Sequence, residues 1–181
     1  MNVEVKFTYK DLLSAPDDRN RYEIFGGELI LSPAPSLEHQ RVIKNLVRIM
    51  IEYAEGQNFG KVLFAPRDVY FSDTTVVEPD ILFVSDARRD IMDKDKVNGA
   101  PDFIAEIISE STESRDRDFK YRLYAREGVK EYWIVDPNAK SIEVYHLESG
   151  GFKQVGKFVG ENRILSPYFS GMELKANQVF E

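Results

Sequence analysis

A glutamate interrupts the apolar run at the centre of PDFIAEIISES, residues 101–111. Phe103, Ile104, Ala105, Ile107 and Ile108 describe a strand buried on both faces, with Glu106 at its centre. An ionised carboxylate in that setting is costly unless a cation, a metal or several donors meet it. Alternate residues of a strand share a face, so Glu106 points with Ile104 and Ile108. Asp80 opens a second strand, PDILFVS, directly after Pro79. If the two strands are neighbours, Asp80 and Glu106 converge near one sheet edge. Two carboxylates so close repel unless a cation joins them, and their hard oxygens suit Mg2+ or Mn2+. Asp116 and Lys120, four residues apart, lie on one helical face that can fold back over the strand end.

The surrounding elements must hold these groups in place. Thr8 caps a short helix, YKDLLSA, that stops before Pro16. RYEIFGGELILS reads as a hairpin turning at Gly26 and Gly27. Ser36 caps the longest helix, about Leu37 to Glu55, whose stripe of Val42, Ile43, Leu46, Val47, Met50, Tyr53 and Ala54 faces the core. KVLF, DVYF and DILFVS are short strands, and ARRDIMDKDKVNGA is a charged loop or frayed helix. STESRDRDFKYRLYAREG starts with capping residues and stops at Gly128, which predicts a helix between the strands DFIAEIIS and KEYWIVD. That unit reads as a β-α-β crossover. SIEVYHL and FKQVGKFV flank ESGG as a second hairpin, and the tail with LSPYFSGMEL is expected as a final edge element. The architecture predicted is one α/β domain: a mixed central sheet flanked by helices, with added hairpins.

Length and composition narrow the class. The 181 residues favour one domain, and 43% hydrophobic with 30% charged residues excludes a disordered chain. No apolar run approaches the roughly 18 residues that span a bilayer, so no membrane partner is expected. The stretch MNVEVKFTYK lacks the apolar core of a signal peptide. Without cysteine there are no disulfides or thiolate metal sites, which makes the cytoplasm the default compartment. The net charge of −7 argues against a simple basic nucleic-acid-binding module, but not against an enzyme that meets nucleic acid at an acidic metal centre.

VVEPDILFV followed by PDFIAEIISESTESRDRDFKYRLYAREGVKEYWIVDP resembles the Uma family, restriction-endonuclease-like proteins of the PD-(D/E)XK nuclease superfamily. YEIFGGELILSPAPSLEHQ also looks like that family's amino-terminal pattern, so the resemblance covers most of the chain. It implies a restriction-endonuclease-like fold and a metal-dependent endonuclease that hydrolyses phosphodiester bonds of DNA. Residues 36–137 would form the nuclease core, residues 1–35 an amino-terminal helix and hairpin, and residues 138–181 a carboxy-terminal hairpin and tail. Asp80 would match the first metal-binding aspartate and Glu106 the acid of the D/E-x-K element, together holding Mg2+ or Mn2+. The position two beyond Glu106 is Ile108 rather than lysine, and the resemblance nominates Lys120 on the next helix as the displaced cation that stabilises the transition state. Glu23, Glu38, His39, Gln40 and Asp116 are secondary candidates for completing the site, with Glu23 and Glu38 as alternatives for an assisting acid. Nucleases of this class often pair their sites to address both strands, so the resemblance adds a homodimer with a shared basic groove as a hypothesis.

Each of these residues also has a plain structural reading. Glu106 and Lys120 can form a buried ion pair, and Asp80 can cap the start of its strand. Asp116 fits a first-turn acid favoured by the helix dipole. Lys120 fits a solvated face, as do Arg115, Arg117, Arg122 and Arg126 among their interleaved acids. His39 and His146 read as structural histidines, and Trp133 as core. These readings belong to a second hypothesis, a nuclease-like scaffold without catalysis that serves binding or assembly; the missing lysine after Glu106 and the acidic charge favour it.

Overall fold

The turn between the first two strands is set by Gly26 and Gly27, whose φ angles of 61° and 94° lie where L side chains rarely go. They join β1 (Arg21–Phe25) to β2 (Glu28–Ser32) in an antiparallel hairpin after a short helix, α1 (Tyr9–Leu12). The computed structural model describes residues 6–18 and 20–181. Residues 1–5, half of the stretch read above for a signal peptide, lie outside the described residues, as does Arg19.

Ser36 starts α2 (Leu37–Met50) by accepting the His39 N–H at 3.2 Å, and Val42, Leu46, Val47 and Met50 face the core. The helix was expected to run unbroken to Glu55. Instead Ile51–Glu55 wind as a π-helical turn that ends with the Gly56 N–H on the Ile51 carbonyl. The wider turn buries Ala54 and brings Glu55 over the next strand, where its carboxylate accepts the Val62 N–H at 3.1 Å.

The remaining strands are β3 (Gly60–Phe64), β4 (Asp68–Ser72), β5 (Thr75–Val77), β6 (Ile81–Ser85), β7 (Lys96–Asn98), β8 (Phe103–Ile107), β9 (Glu131–Asp136), β10 (Ser141–Glu148) and β11 (Gly151–Val159). A π-helical turn, Arg115–Lys120, leads into α3 (Tyr121–Glu127), which Gly128 closes at φ 92°. The charged stretch after β6 is a 3-10 turn, Asp86–Ile91, followed by β7.

The larger sheet has the order β11-β10-β9-β8-β6-β3 and is mixed, with β8 and β9 parallel across the α3 connection. Phe103 to Ile107 are all buried in its interior, as the unbroken apolar run predicts. The hairpin and the strands around residues 68–77 do not decorate this sheet. They build a second sheet, β2-β1-β5-β4-β7. Phe25, Val69 and Val77 on it need apolar cover, and they find it against Leu82, Val84, Ile104 and Ile134 of the larger sheet.

The opposite face of the larger sheet carries α2 and, contrary to the edge position expected for it, the tail. Phe169, Met172, Leu174, Val179 and Phe180 are buried there, with the Phe169 ring against Phe83 and Phe103. Glu131 pins this segment by accepting bonds from Ser166 Oγ at 2.5 Å and the Tyr168 N–H at 2.9 Å. Packing explains the difference: α2 alone leaves part of an apolar sheet face uncovered, and the tail's large side chains fill it. Among the described residues, no helix is long and apolar enough to cross a membrane. The fold thus stacks α2 and the tail on one face of the larger sheet and the smaller sheet with α3 on the other. The candidate site lies between the two sheets.

Candidate active site

β6 and β8 are antiparallel neighbours with Ile81 opposite Ala105, so one further step of the register sets Asp80 opposite Glu106. The Ile107 N–H donates to Asp80 Oδ2 at 2.8 Å, and the Asp80 N–H faces Glu106 Oε2 at 3.5 Å. The convergence expected from the two strands is therefore built by ordinary sheet pairing. Both carboxylates are almost fully buried, at 2% and 3% exposure.

The turn before α3 brings Lys120 over this strand pair. Its ammonium sits 3.0 Å from Glu106 Oε1, 3.0 Å from Glu23 Oε1 and 3.6 Å from Asp116 Oδ1. Tyr124, one turn on, donates its hydroxyl to Glu106 Oε1 at 2.6 Å. From β1, Arg21 donates to Asp80 Oδ1 at 2.5 Å and lies 3.1 Å from Glu78 Oε1. From the first turn of α2, His39 Nε2 lies 3.1 Å from Asp80 Oδ2, while its Nδ1 is buried without a partner. Arg115 donates to Ser32 Oγ at 2.7 Å and lies 3.9 Å from Glu23. All of these side chains except Tyr124, which lies behind Glu106, line a pocket of about 230 Å³ that the segments at 32–36 and 109–112 also border.

The electrostatics follow from crowding acids out of water. Burial pushes the Glu106 carboxyl up to about 8, against the pull of Lys120 and with the added repulsion of Asp116, Asp80 and Glu23. Burial likewise raises Asp116, only partly offset by Lys120. Glu78 is pushed up to about 7 by burial that Arg21 only partly offsets. Asp80 goes the other way: burial opposes its ionisation, but the contacts from His39 and Arg21 outweigh it and hold the carboxylate below its usual range. Burial alone would lower Lys120, yet Glu106, Glu23 and Asp116 together keep its ammonium well above the ordinary lysine value. Lys120 is thus a fixed cation, unable to serve as a base near neutrality.

The pocket holds five acids, Glu23, Glu78, Asp80, Glu106 and Asp116, against three guanidinium or ammonium groups, Arg21, Arg115 and Lys120. With all five ionised, two carboxylates have no guanidinium or ammonium partner, and only His39 on Asp80 adds a further contact. Asp116 Oδ1 is buried with no hydrogen bond, which marks the same shortfall. An all-oxygen donor set with that deficit fits a hard divalent cation, with Asp80 and Glu106 the pair that faces across the strands. Among the described residues, no group of three or more acids and histidines stands already arranged around one metal position. Arg21 and His39 hold the Asp80 oxygens, so a cation seated on Asp80 competes with them.

Of the residues singled out in the sequence, Asp80, Glu106, Lys120, Glu23, Asp116 and His39 all line this pocket. Glu38 does not: it is exposed and pairs with Arg41 at 2.7 Å, because one helical step from His39 turns it outward. Gln40 is also exposed and lies on a separate groove along α2. Of the two assisting acids considered, the pocket contains Glu23. Asp116 and Lys120 are buried, at 2% and 3% exposure: their shared helical face folds back over the strand end, and the alternative of a solvated face does not hold for them. Arg115 also turns inward, while Arg122 and Arg126 keep the solvated positions expected. His146 sits far along β10, 3.6 Å from Glu131, and Trp133 is core.

Arg21, Glu78 and Tyr124 were not anticipated. Their spacing carried a signal nonetheless. Arg21 and Glu23 share a strand face, Glu78 stands two before Asp80, and Asp116, Lys120 and Tyr124 recur every four residues.

The sequence model of a family described as "Uma2: Putative restriction endonuclease" matches residues 8–177. A curated relative, the uncharacterized protein slr1290 of Synechocystis sp., is 25% identical over 136 residues, covering 74% of this chain and 70% of that protein. Among solved structures, the crystal structure of "a putative nuclease belonging to DUF820" from Anabaena variabilis superposes with a TM-score of 0.79 at 19% identity. That match covers 96% of this chain and 97% of the other, so the two proteins share one fold.

Proposed function

The chain belongs to the Uma2 family, and from that premise we propose that it is an endonuclease hydrolysing phosphodiester bonds of DNA at the pocket around Asp80, Glu106 and Lys120, with Mg2+ or Mn2+. The observation that carries the reading is the meeting of Asp80, Glu106 and Lys120 in one buried, cation-deficient pocket, built from three separate segments. Asp80 and Glu106 are the residues that would hold the metal. When bound, a divalent ion supplies charge neutralisation at a phosphate oxygen and a more acidic water.

The chain's own groups supply the rest. Lys120, held charged by three acids, stabilises negative charge that develops on the phosphate and acts as a preorganised cation. Tyr124 fixes the Glu106 carboxylate by its 2.6 Å hydrogen bond, leaving Oε2 as the oxygen directed to Asp80. Arg21 is partly exposed at the pocket mouth, where a guanidinium released from Asp80 can take a phosphate oxygen in a forked pair. Glu78 titrates near neutrality beside Arg21, so it suits proton exchange at the mouth.

The test is nicking of supercoiled plasmid in Mg2+ or Mn2+. Asp80→Asn and Glu106→Gln are expected to abolish it, and Lys120→Ala to slow it by about a hundredfold or more. Wild-type activity matched by all three variants would overturn the assignment. The internal occupancy of Asp80 by Arg21 and His39 favours the second reading, a nuclease-like scaffold without catalysis. Absence of metal binding at millimolar concentration, measured by calorimetry, selects it.

A further inference from the structure

Beside the catalytic pocket runs a second concavity of about 730 Å³, and the two share Arg21 and Pro35. One wall is the flank of the α2 core stripe continued into the π-helical turn, where half-buried Ile43, buried Val47 and exposed Ile51 recur at helical spacing. The other is the end of β3, the edge strand of the larger sheet, where Phe64 leaves half of its surface exposed at 50%. Phe64 is paired with Ile81, the residue after Asp80, and the Ala65 N–H donates to the Asp80 carbonyl at 3.1 Å. The aromatic ring is therefore tied by backbone pairing to the strand that presents the catalytic aspartate.

The rim of this groove is cationic. Arg21, Lys44 and Arg48 line it against a single acid, Glu52, on a chain whose net charge is −7. An apolar trough with one exposed ring and a basic lip does not suit a duplex, whose bases are closed in the stack and whose outer surface is phosphate. It suits an unstacked nucleotide: the base lies against Phe64 and the isoleucines, and the flanking phosphates meet Lys44 and Arg48. Resting on the nuclease reading, we infer that the groove receives a single-stranded or splayed nucleotide next to the scissile phosphate, so that the substrate class is single-stranded or frayed DNA.

The test measures binding without cleavage, in EDTA, of a single-stranded oligonucleotide carrying 2-aminopurine and of the same sequence as a duplex. The expected result is tighter binding of the single strand, with quenching of the 2-aminopurine fluorescence. Phe64→Ala should weaken single-strand binding by roughly tenfold and abolish the quenching, leaving duplex affinity unchanged. Lys44→Ala with Arg48→Ala should reduce the salt slope of single-strand binding by about 1.4, the value for two lost phosphate contacts. All three substitutions are at exposed positions. Unchanged single-strand affinity in both variants overturns the inference. So does equal competition by an acidic peptide, or a wild-type dimer that Phe64→Ala converts to monomer, since either assigns the groove to a protein. The plasmid assay keeps the two proposals apart. Intact nicking with unaffected groove variants sinks the groove alone, whereas Phe64-dependent single-strand binding with no cleavage in Mn2+ of either the plasmid or a single-stranded oligonucleotide sinks the nuclease reading and leaves the groove as a single-strand site.

Discussion

Replacing Glu106 with glutamine should make the metal-free protein more stable at alkaline pH. Glutamine keeps an oxygen for the Lys120 ammonium and the Tyr124 hydroxyl but removes the charge that burial opposes. The wild-type carboxyl rises from 4.5 to about 8 on folding. A raised group contributes stability that is complete below its unfolded value and is lost as pH climbs through its folded value. The Glu106 contribution should therefore fall between about pH 4.5 and pH 8, and at about 1.4 kcal/mol per unit the whole loss approaches about 5 kcal/mol. In Glu106→Gln that loss is absent, so the two proteins should match near pH 4.5 and diverge in favour of the variant above pH 8. For a chain of this size the gap corresponds to a difference of about 10–20 °C in thermal midpoint. Glu78 and Asp116 also titrate upward in the folded state; Glu78 contributes to both curves, while Asp116 faces Glu106, so the difference between the curves reports Glu106 together with the relief of its repulsion with Asp116. The assay is urea and thermal unfolding in EDTA at half-unit steps from pH 4.5 to 9. A variant less stable than wild type at pH 8.5, or a constant difference across the range, would refute the reasoning that the carboxylate is buried short of positive charge.

Lys120→Met should cost about 3–5 kcal/mol in urea unfolding, because it leaves Glu23, Glu106 and Asp116 without their shared cation; a loss under about 1 kcal/mol would contradict the buried network. Arg21→Met frees Asp80 Oδ1, so Mn2+ should bind about tenfold more tightly by calorimetry even as nicking slows. Equal affinity in wild type and variant would mean that Arg21 does not compete for Asp80. Glu131→Ala removes the acceptor of three bonds, from Trp133 Nε1, Ser166 Oγ and the Tyr168 N–H. It should destabilise the protein by at least about 3 kcal/mol and open the segment around Tyr168 to limited proteolysis, and an equally resistant variant would remove Glu131 as the anchor of the tail.

The two hairpins, the crossover joining β8 to β9 and the burial of β8 could be read along the chain because each depends on local chemistry: glycine in positive φ, capping residues, and runs or stripes of apolar side chains. The same reading singled out Glu106, because a charged residue inside an apolar strand raises a cost that its neighbours in sequence cannot settle, and set Asp80 on a strand able to pair with it; Lys120 came from the family resemblance. What spacing could not decide was which charges answer it. Asp116 and Lys120 look solvated on a helix covered with ions, and only closure of that helix over the sheet makes them interior. Arg21 and Glu78 join the pocket, and Tyr124 backs its Glu106, from three segments whose separation in sequence hides their contact. The smaller sheet and the burial of the tail likewise answer to packing, since each covers an apolar face that exists only after distant strands have paired. Periodicity and turn chemistry act over a few residues and are written into the chain. The balance of buried charge is a sum over space, and only the assembled sheets determine which groups enter it.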